Sequence, residues 1–319
     1  MIFRGAAGIL LAGLVAAAPV EAKAWPERTV RVIMPNPPGT TLDVIARLFA
    51  EKLAANWRQP VIVENLPGAD GNLAAREFVG RHDNHVLLYS FPGLITINPL
   101  LYEKLPYDPV RDLVPIAFTS DNFIAIASSG SLKVDSVAGL VELARSRAAK
   151  LNWAATPGLP YFALAGLQRA AGVAMVQVPY RDFSQAVGDL GEGRIDAAAA
   201  GVTPFLSSTQ AGKVRLLAFI NRQRAPFAPS VPTIAEAGYP DLTFDAVTGF
   251  FGWRDMPPDL RERLAADVRE VASDPAVRER LLRLGSVPRS GTPAEFVAAV
   301  QDQRDKIAAI ARAIGTKAQ

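Results

Sequence analysis

The chain contains no cysteine. That excludes thiol nucleophiles, disulfide frameworks, cysteine-ligated zinc or iron–sulfur sites, and a lipid anchor on an N-terminal cysteine. Histidine is almost as scarce, with only His82 and His85. Neither sign of charge dominates: 34 Lys and Arg stand against 31 Asp and Glu in 319 residues, a net +3. So small an excess builds no basic stripe, and a nucleic-acid partner is not expected. Three mechanistic motifs are also missing: the Gly-x-Ser-x-Gly elbow, the Gly-x-x-x-x-Gly-Lys phosphate loop and the Gly-x-Gly-x-x-Gly fingerprint. What is plentiful is apolar residues, half of the chain, too many for a disordered protein. The length exceeds the usual size of one core and predicts two domains.

The first residues read as an address. Arg4 provides a positive start, Gly5 to Ala18 is an almost unbroken apolar run, and Ala22-Lys23-Ala24 is a small-x-small site for cleavage before Trp25. The run is shorter than the ~20 residues that span a bilayer, so residues 1–24 are expected to be a cleaved signal peptide rather than an anchor. No later segment has about eighteen consecutive apolar residues. An exported, cysteine-free, unanchored chain fits a bacterial periplasm.

From there strands and helices alternate. Val30–Met34, Val61–Glu64, Val86–Ser90, Ile124–Ser128, Asn152–Ala154, Met175–Val178, Ile195–Ala199 and Val214–Phe219 read as strands. Helices are expected between them, from Leu42, Leu73, Ser136, Tyr161, Phe183 and near Phe205. After Pro257-Pro258 come amphipathic helices over Leu260–Ala272, Ala276–Leu284 and Ala294–Ile314. The alternation predicts an α/β protein with parallel sheets covered on both faces.

In such sheets ligands bind beyond the carboxyl ends of the strands. The first loop there, Pro35 to Asp43, has stiffening prolines, Gly39, and Thr40 with Asp43 at capping-box spacing. Its free N–H groups suit a carboxylate, although a well-capped helix without a guest explains the same residues. Tyr89-Ser90-Phe91-Pro92-Gly93, Thr156 to Phe162, and Ala200 to Thr203 combine glycine with hydroxyls, and the first two add aromatic rings. They suit a small ligand with a polar end and an apolar body, or equally well turns whose rings fill the core. His82 and His85, in Arg81-His82-Asp83-Asn84-His85, have a spacing that could hold a metal but read as a solvated turn. No metal, no cofactor and no catalytic residue is expected.

At this point the sequence resembles a known family. The marks are Pro37-Pro38-Gly39 with Asp43 and Arg47; Val63-Glu64-Asn65; Pro67-Gly68-Ala69 with Gly71-Asn72; Ile97-Asn98-Pro99; and Leu105-Pro106-Tyr107-Asp108-Pro109. They continue through Val178-Pro179-Tyr180, Ala211-Gly212-Lys213 and Val231-Pro232-Thr233 to Ala235-Glu236-Ala237-Gly238. In these it is similar to the Bug-type extracytoplasmic solute receptors, the substrate-binding proteins of tripartite tricarboxylate transporters, from about Trp25 to Gly315.

The resemblance implies a two-lobed type II periplasmic-binding (Venus flytrap) fold, each lobe a sheet flanked by helices. Lobe one would be residues 25–124 plus 245–319, and lobe two residues 125–244. It implies a receptor that closes over a small organic carboxylate and delivers it to membrane permease subunits. The expected contacts, carried over by position, are Pro38, Gly39, Thr40, Thr41, Asp43, Ser90, Gly93, Thr156, Gly158, Gly201 and Thr203. Phe91 and Tyr161 would face the ligand's body. Thr40 and Thr41 stand where glycines are usual, and Ala198-Ala199-Ala200 where amino-acid-binding members carry an acid. With Phe91, Leu159, Tyr161 and Phe162 also present, the cleft should be apolar and leave an ammonium group without a counter-charge. An organic acid with an apolar or aromatic body is therefore expected, in place of an amino acid or citrate. A monomer is expected. A receptor that signals to a membrane sensor would bind the same acid, and an exported enzyme would need a nucleophilic or proton-transfer pair that the sequence does not offer.

Overall fold

The structure, a computed structural model, describes residues 25–146, 151–316 and 318. The expected signal peptide lies outside the described residues. Among those described, no helix is long and apolar enough to cross a membrane.

The chain opens with β1 (Val30–Met34), α1 (Thr41–Trp57), β2 (Val61–Asn65), α2 (Asn72–Arg81) and β3 (Val86–Ser90). The short helices α3 (Gly93–Thr96) and α4 (Asn98–Leu101) lead to the long strand β4 (Leu113–Asn122) and, after Phe123 alone, to β5 (Ile124–Ser129). Next come α5 (Val137–Ser146), β6 (Asn152–Ala155), α6 (Leu159–Ala171), β7 (Val176–Gln177), α7 (Phe183–Gly191), β8 (Ala197–Gly201), α8 (Leu206–Gln210) and β9 (Val214–Phe219). The chain ends with β10 (Val247–Trp253), α9 (Pro258–Ser273), α10 (Pro275–Arg283), β11 (Ser286–Pro288) and α11 (Pro293–Ile314).

These strands form two sheets, ordered β11-β4-β10-β3-β1-β2 and β7-β6-β8-β5-β9. The sheets are mixed, which corrects the expectation of purely parallel ones. β1 lies parallel to β2 and β3, and β6 parallel to β7 and β8. β10 runs antiparallel to β3 and β4, and β5 antiparallel to β8 and β9. The cause is the crossing: β4 passes almost directly into β5, so β5 starts at the seam where β8 ends, with Ile124 opposite Gly201. β1, β3, β6 and β8 all end toward that seam, as βαβ units place their loops.

Two apolar layers cover the first sheet. Val30, Val32 and Met34 point to α1 and α9, meeting Phe49, Leu53 and Val268, while Ile33 and Leu88 point to α2 and α11, meeting Phe78 and Phe296. Strands buried on both faces need continuous apolar runs, which is what Val-Leu-Leu-Tyr-Ser in β3 supplies. In the second half, Trp153, Leu164 and Leu217 build one core and Phe205, Phe219 and Val214 the other. α11 serves both halves: Phe296 and Val300 sit in a core of the first sheet, and Ile307 and Ala311 in one of the second.

Candidate functional site

A cavity of about 740 Å³ lies on the seam. Four βα loops open into it. Pro35, Asn36 and Pro37 follow β1; the 67–71 turn follows β2; Ser90 ends β3, with Phe91 and Gly93 after it; and Thr156 to Pro160 follow β6. Asn122 and Ile124 line it from the crossing, Gly201 from the end of β8, Gln303 from α11, and Arg181 from the loop before α7. The body of the cavity is apolar, with Leu94, Ile97, Leu101, Ile124 and Leu159 on its walls.

The first loop is fixed by its own side chains. Thr40 Oγ1 accepts from the Asp43 N–H at 3.4 Å, and Asp43 Oδ2 accepts from the Gly39 N–H at 2.9 Å. Asp43 is buried and also accepts from Arg47 Nε at 3.1 Å and Asn65 Nδ2 at 2.8 Å. Burial alone would push this carboxyl up, but the bonds from Arg47, Asn65 and Gly39 outweigh it and hold Asp43 below its ordinary value. Asn65 Nδ2 also donates to the Asn36 carbonyl at 2.9 Å, which ties the loop to β2. The Gly39 N–H, the Thr40 hydroxyl and the Asp43 carboxylate are therefore each engaged in hydrogen bonds.

The 67–71 turn is held differently. Gly68, Ala69, Asp70 and Gly71 all have positive φ, two of them with a side chain that disfavours it. Asn98 Nδ2 donates to the Asp70 carbonyl (3.0 Å) and to Asn72 Oδ1 (2.8 Å), and the Tyr107 hydroxyl donates to Asn72 Oδ1 at 3.0 Å. The Tyr102 hydroxyl donates to Asp70 Oδ2 at 2.6 Å, and that bond pushes Tyr102 up to about 12. A backbone over-determined in this way can keep an unfavourable conformation at a binding surface.

Two of the longer helices, α2 after Gly71 and α6 after Gly158, begin at the cavity without a side-chain cap, as do the single turns α3 and α4. α2 and α6 come from different halves. Uncapped first-turn N–H groups and the positive end of the helix dipole favour an anion between them. α1 and α7, by contrast, carry the side-chain caps Thr40 and Asp182.

Of the residues expected from the sequence, Ser90, Phe91, Gly93, Thr156, Gly158 and Gly201 are brought together on the cavity wall. Pro38, Gly39, Thr40, Thr41 and Asp43 are not in the lining; their neighbours Pro35 to Pro37 are. Tyr161 turns inward, its ring 5.8 Å from that of Trp153, and the Thr203 hydroxyl donates to the Leu284 carbonyl at 2.9 Å. Phe162 is buried in the core. The sequence reading missed the 67–71 turn, Arg181 and Gln303 as lining residues. The turn was detectable, because Pro67-Gly68 and Gly71 follow a strand as the other loops do; Arg181 and Gln303 carry no local signal.

The histidines go separate ways. His82 stacks on Trp253 with ring centroids 4.5 Å apart, and His85 Nε2 accepts from the Glu27 N–H at 3.2 Å. Among the described residues no group of His, Asp and Glu could hold a metal ion.

Comparison with known proteins agrees with this geometry. A family model described as tripartite tricarboxylate transporter family receptor matches residues 45–316. Protein BugT of Bordetella pertussis is 29% identical over 97% of this chain and 96% of its own. The structure of R. palustris Rpa4515 with adipate superposes with a TM-score of 0.81 and 26% identity, covering 92% of this chain and 100% of that one. MatC from Rhodopseudomonas palustris with bound malate gives 0.76 and 27%, covering 90% and 99%.

Proposed function

The chain belongs to the family of tripartite tricarboxylate transporter receptors, and we propose that it closes over a small organic carboxylate with an apolar or aromatic body. Membership makes it a solute-binding receptor rather than an enzyme, places it in the periplasm, and gives it a tripartite tricarboxylate-type membrane transporter as partner. The observation that carries the ligand reading is the pair of uncapped helix N-termini, α2 and α6, facing one cavity with apolar walls. One carboxylate lies between them, and the body rests on Ile97, Leu101 and Leu159. Adipate and malate in the two R. palustris receptors are consistent with an acid at this seam.

Capture proceeds by closure of lobe two (residues 125–244) on lobe one (residues 25–124 and 245–319). The hinge is the place where three segments meet. The Asn122 N–H donates to the Ala246 carbonyl (2.9 Å), Asn221 Nδ2 to the Asn122 carbonyl (2.8 Å), and the Phe244 N–H to the Ile220 carbonyl (2.8 Å). The ligand favours closure through contacts it makes with both halves at once. The leader that brings the chain to the periplasm is residues 1–24, and N-terminal sequencing of the exported protein should begin at Trp25.

A thermal-shift screen of carboxylic acids tests the reading. An acid at 100 times its dissociation constant should add about 2.7 kcal/mol of stability. Tight binding of glutamate or citrate, with no response to aliphatic or aromatic acids, would sink the ligand preference. Loss of uptake of the labelled acid in a deletion strain separates transport from signalling.

A further inference from the structure

Six charged side chains of alternating sign line up along the hinge. Asp121, near the end of β4, pairs with Arg289 after β11 at 3.0 Å, and Arg289 with Asp245 at 3.4 Å. Arg222 Nε donates to Asp245 Oδ1 at 3.0 Å, and its Nη2 to Asp302 Oδ2 at 2.7 Å. Lys306, one turn further along α11, ends the row: its Nζ donates to Asp302 Oδ2 at 2.9 Å and to the Thr243 carbonyl at 3.3 Å. Of the six, Arg222 alone falls within residues 125–244, three residues past the end of β9. The two carboxylates it bridges sit on the boundary. Asp245 is on the crossing segment, and Asp302 lies on α11 between Val300, in a core of the first sheet, and Ile307, in one of the second. None of the six is on the cavity wall.

These bonds belong to a conformation in which the two halves touch at the seam. The Thr203 hydroxyl of one donates to the Leu284 carbonyl of the other at 2.9 Å, and Leu159 shares an apolar cluster with Ile97. Opening would rotate Arg222 against the two carboxylates it bridges. Arg222 and Asp302 are half-exposed, so each bond is weak by itself. Weakness suits a hinge. A strong lock would keep the halves together with or without cargo, whereas a small bias sets the fraction of molecules competent to hold it and so scales the apparent affinity. We propose that Arg222 is a positioning residue for capture, which ties lobe two to the crossing segment and α11 and favours the closed arrangement without touching the cargo. This rests on the closure reading above and deepens it. The planar guanidinium fork, with one arm on each carboxylate, is what a single lysine ammonium reproduces only in part.

Calorimetric titration with adipate and with benzoate, together with solution scattering of the unliganded protein, tests this. Arg222→Gln should weaken every acid that binds by the same factor, about three- to tenfold at low salt, and should enlarge the unliganded radius of gyration. Raising sodium chloride to about 1 M, where the screening length is about 3 Å, should narrow the gap between wild type and variant. Lost packing alone would leave that gap as it was. Arg222→Lys should recover part of the affinity, and Asp302→Asn should reproduce the loss to a smaller degree, which keeps the test open if Arg222→Gln does not fold. Equal or tighter binding by Arg222→Gln overturns the assignment, and so does a gap that salt does not narrow. A loss confined to one of two binding acids also overturns it, because Arg222 would then be touching cargo. If neither acid binds the wild-type protein, the ligand reading is at fault and scattering still decides the hinge: a larger unliganded radius in Arg222→Gln supports the assignment, and an unchanged one overturns it.

Discussion

At Asp43 one buried carboxylate accepts from the Gly39 main chain, from Arg47 and from Asn65. Because Asn65 also holds the Asn36 carbonyl, Asp43 supports the cavity's first loop through these bonds. Asp43→Ala leaves these donors unsatisfied and should cost about 1–3 kcal/mol in urea denaturation, with weaker acid binding as Pro35 to Pro37 lose their support. Its titration has a definite sign. The folded carboxyl sits below its ordinary value, so its stabilisation is complete above the unfolded value of about 3.9 and is lost as pH falls through the folded one. Asp43→Asn should flatten that part of the acid limb of a stability–pH curve; an unaltered limb would show the carboxylate contributes nothing. The spacing of Thr40 and Asp43 made the cap legible in the sequence. It did not reveal that the Asp43 carboxylate would be shared with Asn65, because Asn65 reaches it from a different strand.

At the scale of elements, the sequence reading placed every strand of the βαβ units and missed β4, β10 and β11. The physical reason is visible in β10, Val-Thr-Gly-Phe-Phe-Gly-Trp, in which all seven residues are buried. Burial on both faces removes alternation, and two glycines read as a turn. β4 carries Pro115 inside it, opposite Phe251 beside a register shift. Gly249 is required by packing: a Cβ there would lie 2.2 Å from the Ala117 carbonyl oxygen and 2.6 Å from Phe296. Gly249→Ala should therefore lower stability by about 3 kcal/mol, at the upper end of overpacking costs. Gly188→Ala, where a Cβ meets nothing on α7, should raise it by up to about 1 kcal/mol. A Gly249→Ala midpoint equal to wild type in urea would mean that β4 and β10 can part without cost.

For the whole molecule, amphipathic helices and βα loops announced an α/β protein and the family resemblance a receptor, but the pairing of a strand with one far along the chain has no local signature. Closure gives a measurement on this scale. Solution scattering should show a smaller radius of gyration on saturation with an acid that binds; an unchanged radius would rule out capture by lobe movement. The order of strands has one more outcome. The second sheet is assembled from the single stretch between Ile124 and Phe219, whereas the first lacks the partner of both β3 and β4 until β10 is available. A polypeptide emerging amino end first can thus pair every strand of its second sheet while the first still shows two open strand edges. The sheet written first is closed last, and a folding helper that shields its edges has to wait for Trp253 before letting go.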